Sequence, residues 1–174
     1  GVQILSFSFV IGFGFSIAGA TLVGQHLGAG NPDQAKRAGW GAMRLSIISM
    51  TFFGILIAVF AQPLARFMID NDEVVRLSVI FIWLLGSMQP LMAIEFSLGG
   101  ALRGAGDTKT PLAITLTCLL FIRVFLAVIF FLLDASIEII FSTLVADYVV
   151  KGFLYVSRFR SDKWMNALQS KEAS

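Results

Sequence analysis

The chain has 174 residues, of which 57% are hydrophobic and only 14% charged, and its mean hydropathy is +0.84. A soluble domain carries about 25% charge, so the polar cover is too thin for a surface facing water and the outer solvent is expected to be lipid. The formal net charge is only +2, and the single cysteine, Cys118, excludes an intrachain disulfide and a cysteine metal cluster.

A helix crossing the hydrocarbon core needs about 20 mostly apolar residues. Five segments qualify, over approximately 2–24, 40–61, 74–102, 111–133 and 137–157, followed by a polar tail over 158–174. The expected fold is therefore all-α, a polytopic membrane helical bundle in a single domain. The first span begins at Gly1 inside an apolar run, without Met, a basic leader or a cleavage site. It reads as an internal piece of a longer polypeptide and not as a signal peptide. Within it Ser8, Gly12, Ser16, Ala20 and Gly24 recur every fourth residue, with Gly14 and Gly19 nearby. Such a small-residue stripe lets two helix backbones approach closely in lipid; a helix that slides during a functional cycle is the alternative use.

The breaks are chemically distinct. Gly28-Ala29-Gly30-Asn31-Pro32 reads as a helix stop, an Asn cap and a Pro at the first helical position. The second break runs from Gln62-Pro63 through Asp70-Asn71-Asp72-Glu73. Pro90 falls mid-way along the third span, where it frees a backbone carbonyl and marks a candidate hinge. Gly104-Ala105-Gly106-Asp107-Thr108 is a second Gly-rich stop, across which Arg103 and Asp107 are close enough to pair. Asp134-Ala135-Ser136 is so short that the last two spans must form an antiparallel hairpin. No strand-like alternation persists, so no sheet is expected.

Orientation follows from Lys and Arg in the short loops. Lys36, Arg37, Arg103, Lys109, Arg158, Arg160, Lys163 and Lys171 make eight on one side, against two, Arg66 and Arg76, on the other. The richer side is assigned to the cytoplasm, together with the C-terminus. Arg44, Arg123 and Lys151 fall within the spans. Arg44 lies near the cytoplasmic end of its helix and is expected to snorkel to the interface.

A charge within a span costs about 2.5–3.5 kcal/mol on insertion scales and requires a reason. At about 1.5 Å rise per residue, Glu95, Arg123, Asp147 and Lys151 sit about 12, 18, 16 and 10 Å from the cytoplasmic edge. Two acids and two bases thus share one layer. On the last helix Thr143, Asp147, Lys151 and Tyr155 follow one another at i,i+4 spacing and share a face. Two readings stay open: a neutral network, chiefly Asp147 with Lys151, that fixes helix rotation, or a cation or proton site in which Glu95 or Asp147 is the working carboxylate.

The loops carry a resemblance. Val23-Gly24-Gln25-His26-Leu27-Gly28-Ala29-Gly30-Asn31, followed by Ala35 and Arg37-Ala38, resembles the loop after the second helix of each half in the multidrug and toxic compound extrusion (MATE) family. Ala101-Leu102-Arg103-Gly104-Ala105-Gly106-Asp107-Thr108-Lys109-Thr110-Pro111 is similar to that family's other hallmark loop, and Arg123-Val124-Phe125-Leu126-Ala127 to a segment of its penultimate helix. The resemblance implies twelve helices in two six-helix halves, of which this chain would supply the last five. It also implies a multi-pass transporter of the bacterial inner membrane that exports organic cations, drugs or toxic compounds in exchange for Na⁺ or H⁺. The implied partners are the lipid bilayer, small organic cations and the N-terminal half of the same polypeptide. No cofactor beyond the coupling ion and no nucleic acid are implied.

Rival functions fit less well. A lipid-linked oligosaccharide flippase of the same superfamily would be expected to line its cavity with more basic residues. Against a membrane-embedded enzyme, His26 is the only histidine, Cys118 the only cysteine, and neither a metal pair nor a nucleophile motif is present. No Gly-x-x-x-x-Gly-Lys-Ser/Thr string signals nucleotide binding. A passive structural subunit has no use for charges within its spans.

Overall fold

The computed structural model describes residues 2–68, 72–132 and 137–166. Among them the chain is helical throughout, without strands. Helix α1 spans Val2–Gly28, α2 Pro32–Val59, α3 Ala61–Met68 and α4 Asp72–Gly104. Helix α5 (Lys109–Thr117) runs through a π-helical stretch, Cys118–Val124, directly into α6 (Phe125–Leu132). Helix α7 covers Ile137–Arg160, and a short 3₁₀ turn at Lys163–Asn166 ends the described chain. The expected hairpin at Asp134-Ala135-Ser136 and the tail from residue 167 on lie outside the described residues.

Three helical stretches are long and apolar enough to cross a membrane: Phe9–Gly28, Pro32–Val59 and Ser78–Gly104. The other two expected spans fall on helix as well. One is the α5–π–α6 run; the other is α7, whose Glu138, Asp147, Lys151, Arg158 and Arg160 dilute its apolar character. Helices outrun the apolar segments that mark them. Helix α2 begins at Pro32, not near Trp40, because its first polar turns still satisfy their own backbone. The break after residue 61 likewise holds the short helix α3.

Helix α4 is the hub, packed against α1, α2 and α7. On α1 the stripe is a true contact surface. A Cβ at Gly100 would strike the backbone of Ser16, and one at Gly104 the backbone of Ala20. A Cβ at Gly19 would come within 2.9 Å of the Ser97 carbonyl oxygen. The small residues therefore come from both helices. Gly14 corrects the expectation: nothing lies within 4 Å of where its Cβ would be, so it is not part of the slot. The second glycine contact explains Pro90. Without an N–H at residue 90, the carbonyl of Gly86 loses its intrahelical donor, and this oxygen lies 2.8 Å from where a Cβ on Gly54 of α2 would stand. The freed carbonyl thus faces a helix that approaches to backbone contact, and α4 runs on as one helix through the proline.

The two Gly-rich loops are the same structure used twice. After α1, Gly30 N–H donates to Leu27 and Asn31 N–H to His26; after α4, Gly106 N–H donates to Arg103 and Asp107 N–H to Leu102. Gly30 and Gly106 take φ of 74° and 84°, the left-handed conformation with which glycine closes a helix. The loops differ in their caps. The Asp107 carboxylate accepts from Thr110 N–H at 3.2 Å, whereas the Asn31 side chain makes no cap bond and donates to Ala29 O at 3.4 Å.

The α1–α4 contact yields a prediction. Ser16→Leu and Gly100→Leu in the full-length protein are expected to abolish most folded, monodisperse material in fluorescence-detected size-exclusion chromatography. Gly14→Ala, which adds a methyl to open space, is expected to leave the melting temperature within about 2 °C.

Candidate functional site

Helices α4 and α7 carry three of the four charges expected in the layer, and their contact brings those three together. Lys151 Nζ lies 3.0 Å from Asp147 Oδ2, one turn earlier on α7, and 3.7 Å from Glu95 Oε1 on α4. The side chains differ in access: Asp147 is 0% exposed, Lys151 6% and Glu95 21%. Among the described residues the Lys151 ammonium is the cation that balances the buried Asp147 carboxylate. The Tyr148 ring stands 5.3 Å from that ammonium and adds its negative face.

Arg123 does not join them. It lies on the π-helical stretch with its side chain exposed, and among the described residues it forms no ion pair. Sharing a depth did not mean sharing a site, because the azimuth of each helix decides which residues meet.

Glu95 opens onto a cavity of about 460 Å³ between α1, α4, α5 and α7. Phe13 of α1 and Phe96 of α4 form one wall, their ring centroids 5.6 Å apart. Pro111, Leu112 and Thr115 of α5 and Tyr155 of α7 form the other. The Tyr155 hydroxyl donates to Pro111 O at 3.4 Å and shares a hydrogen bond with Thr115 Oγ1 at 3.3 Å, which ties α5 to α7. Arg103 reaches the same cavity two turns beyond Glu95, near Thr108.

The loop residues correct one expectation. Arg103 does not pair with Asp107; its guanidinium donates to Ser16 Oγ at 3.0 Å. Asp107 instead takes both Nε and Nη2 of Arg158, at 3.1 and 2.8 Å, and accepts from the Thr110 hydroxyl at 2.9 Å. The Schellman turn aims the Arg103 side chain back along α4 while Asp107 faces forward over α5, toward the end of α7. Burial by itself would raise the Asp107 carboxyl, but the hydrogen bonds from Arg158 and Thr110 outweigh it and hold the group below the usual aspartate value of 3.8. A second pair, Lys36 with Asp162 at 2.7 Å, joins the start of α2 to the turn after α7. Asp162 takes φ of 58°, folding the chain back so that Trp164 stacks on Phe159 at 4.6 Å and donates to its carbonyl.

The remaining motif residues are placed as follows. Gly24 sits against Gly104 on the α1–α4 contact, and Gln25 and Gly28 belong to the last turn of α1. Sequence reasoning missed Phe13 and Phe96, since an aromatic on an apolar helix carries no signal of a cavity. It counted Arg158 as a charge setting orientation and as part of a family-like ending, Arg158-Phe159-Arg160 with Trp164, without a partner.

Fold and site together define a multi-pass helical membrane protein with a charged cluster beside a half-open cavity. The MatE family model matches residues 1–129, and the chain belongs to that family. It is 34% identical to the probable multidrug resistance protein NorM of Thermotoga maritima, over 94% of this chain and 36% of the relative. It is 29% identical to protein DETOXIFICATION 49 of Arabidopsis thaliana, over 73% of this chain and 25% of the relative. With the multidrug and toxin extrusion protein 2 of mouse the identity is 27%, over 62% and 22%. The chain thus spans about a third or less of the length of these relatives.

The Asp107 contacts predict a pH dependence. A carboxyl held below its unfolded value stabilises the fold fully above that value, and the contribution is lost as pH falls from 3.8 through the lower folded pKa. The melting temperature of the purified full-length protein is expected to drop over that acid range. Asp107→Asn should lower it at neutral pH and flatten the acid response.

Proposed function

We propose that the full-length protein containing this chain is a secondary active transporter that exports organic cations in exchange for Na⁺ or H⁺. The observation that carries this reading is Glu95: a carboxylate within the apolar stretch of α4, opening onto a cavity walled by Phe13, Phe96 and Tyr155. Aromatic faces and a carboxylate are complementary to a flat, apolar cation. One carboxylate cannot hold two cations at once, so an organic cation displaces the coupling ion and the reverse, which is the chemical requirement for exchange. Relatives named for multidrug resistance and toxin extrusion support the same reading. Membership of their family favours a carrier over an enzyme. For a flippase of anionic glycolipids the cavity is poorly suited, since Arg103 is its one basic residue among the described lining.

The side assignment belongs to this proposal. Both Gly-rich loops and the end of α7 lie together, tied by Asp107–Arg158 and Lys36–Asp162. This supports placing all three, and the C-terminus, in the cytoplasm, with the α5–π–α6 run and α7 as the fourth and fifth spans. The setting proposed is a bacterial inner membrane. Transport is expected from the whole polypeptide and not from this chain alone.

The test is efflux of ethidium from cells expressing the full-length protein, with external Na⁺ and pH varied separately. Glu95→Ala is expected to lower ion-driven efflux by at least about tenfold, equivalent to about 1.4 kcal/mol, at unchanged expression. Efflux at the wild-type rate in that variant overturns the assignment of Glu95.

A further inference from the structure

The cluster behind Glu95 has a charge count, and that count constrains what the cavity can bind. Two carboxylates and one ammonium leave one uncompensated negative charge. The geometry decides where it resides. Lys151 sits closer to Asp147 than to Glu95, 3.0 against 3.7 Å. Asp147 is fully buried, and the Lys151 ammonium is the cation paired with it among the described residues. Glu95 lines the cavity, whereas Lys151 and Asp147 do not. Asp147 and Lys151 therefore form a self-neutral pair behind the cavity, and the surplus charge faces it on Glu95.

We propose that Lys151 is a built-in cation that sets the charge Glu95 presents to the cavity: held by Asp147, it leaves the Glu95 carboxylate available to an entering cation. Lys151 is then a specificity-determining residue that never touches the transported cation. This rests on the reading of Glu95 as the cation-binding carboxylate. The ammonium has the reach for it, since it already stands between both acids, and the Tyr148 ring at 5.3 Å gives it an apolar-compatible resting partner. A buried lysine serving only to fix helix rotation would need no second acid on the cavity wall.

The inference predicts two shifts of opposite sign and their cancellation in the double variant, which a purely structural role would not produce. The readout is the equilibrium affinity of the purified full-length protein for ethidium, a permanent monocation, by fluorescence polarisation in Na⁺-free alkaline buffer, with folding checked by size-exclusion chromatography. Lys151→Met leaves two bare carboxylates and is expected to tighten ethidium binding about tenfold or more, with slower turnover in efflux. Asp147→Asn leaves Lys151 to neutralise Glu95 and is expected to weaken binding about tenfold or more. Asp147→Asn combined with Lys151→Met removes the neutral pair and is expected to return binding to within about threefold of wild type. Lys151→Arg should keep the wild-type affinity. Should Lys151→Met fail to fold, the opposition between Asp147→Asn and the double variant still decides the matter. Equal affinities in all the variants, or a double variant as weak as Asp147→Asn alone, overturn the charge count. If Glu95→Ala binds ethidium as wild type does, the cavity reading itself fails; if Glu95→Ala loses binding while the Asp147 and Lys151 variants do not move it, only the role of Lys151 fails.

Discussion

Helix α4 touches α1 backbone to backbone, and most of the architecture depends on that closeness. Gly100 and Gly104 of α4 leave room where Ser16 and Ala20 of α1 place their main chain. In lipid there is no hydrophobic drive to bring helices together, so dispersion at short range and small side chains must do it. The same approach puts Ser16 within reach of Arg103 and sets Phe13 against Phe96. One wall of the cavity is therefore a consequence of glycine placement. About five turns away along α4 the carbonyl freed by Pro90 meets Gly54 of α2, a second close backbone approach to the hub.

Charge is managed differently at the two levels of the bundle. At the loop end, Asp107–Arg158 and Lys36–Asp162 fasten the last turn of α7 to the Gly-rich loop and to α2. The exposed Lys36–Asp162 pair contributes geometry more than stability, whereas Asp107 is buried and held by both Arg158 and Thr110. Deeper in, Glu95, Asp147 and Lys151 are poorly solvated, and a buried ion pair stabilises little once desolvation is counted. A fold that needed only rigidity would be served as well by apolar side chains at these positions.

Much of this was legible in residue order. The helical class followed from the length of the apolar runs, and the two stops from Gly-Ala-Gly followed by Asn or Asp, because a left-handed glycine and a short polar cap are local requirements. The small-residue stripe was visible as a period of four. Its partner on α4 was not, since nothing in Ser16 names Gly100. The Asp147–Lys151 pair was legible for the same reason of locality: i,i+4 spacing on one helix. The addition of Glu95 was expected from depth, and depth alone equally called for Arg123, which the structure leaves apart. Pairing of Arg103 with Asp107 looked natural four residues apart, yet the turn between them sends the two side chains in opposite directions.

By itself, the sequence determined what depends on neighbours within a turn or two, together with the apolar lengths that make this a membrane protein. It determined the repeated helix stop, the cap at Asp107 and the face shared by Asp147, Lys151 and Tyr155. Only the tertiary structure decided that Asp107 belongs to Arg158, that Phe13 and Phe96 share a wall, and that Glu95 rather than Asp147 opens onto the cavity. Those outcomes turn on how far each helix is rotated about its axis. That rotation is set by glycine contacts between helices remote in sequence, which no local pattern encodes.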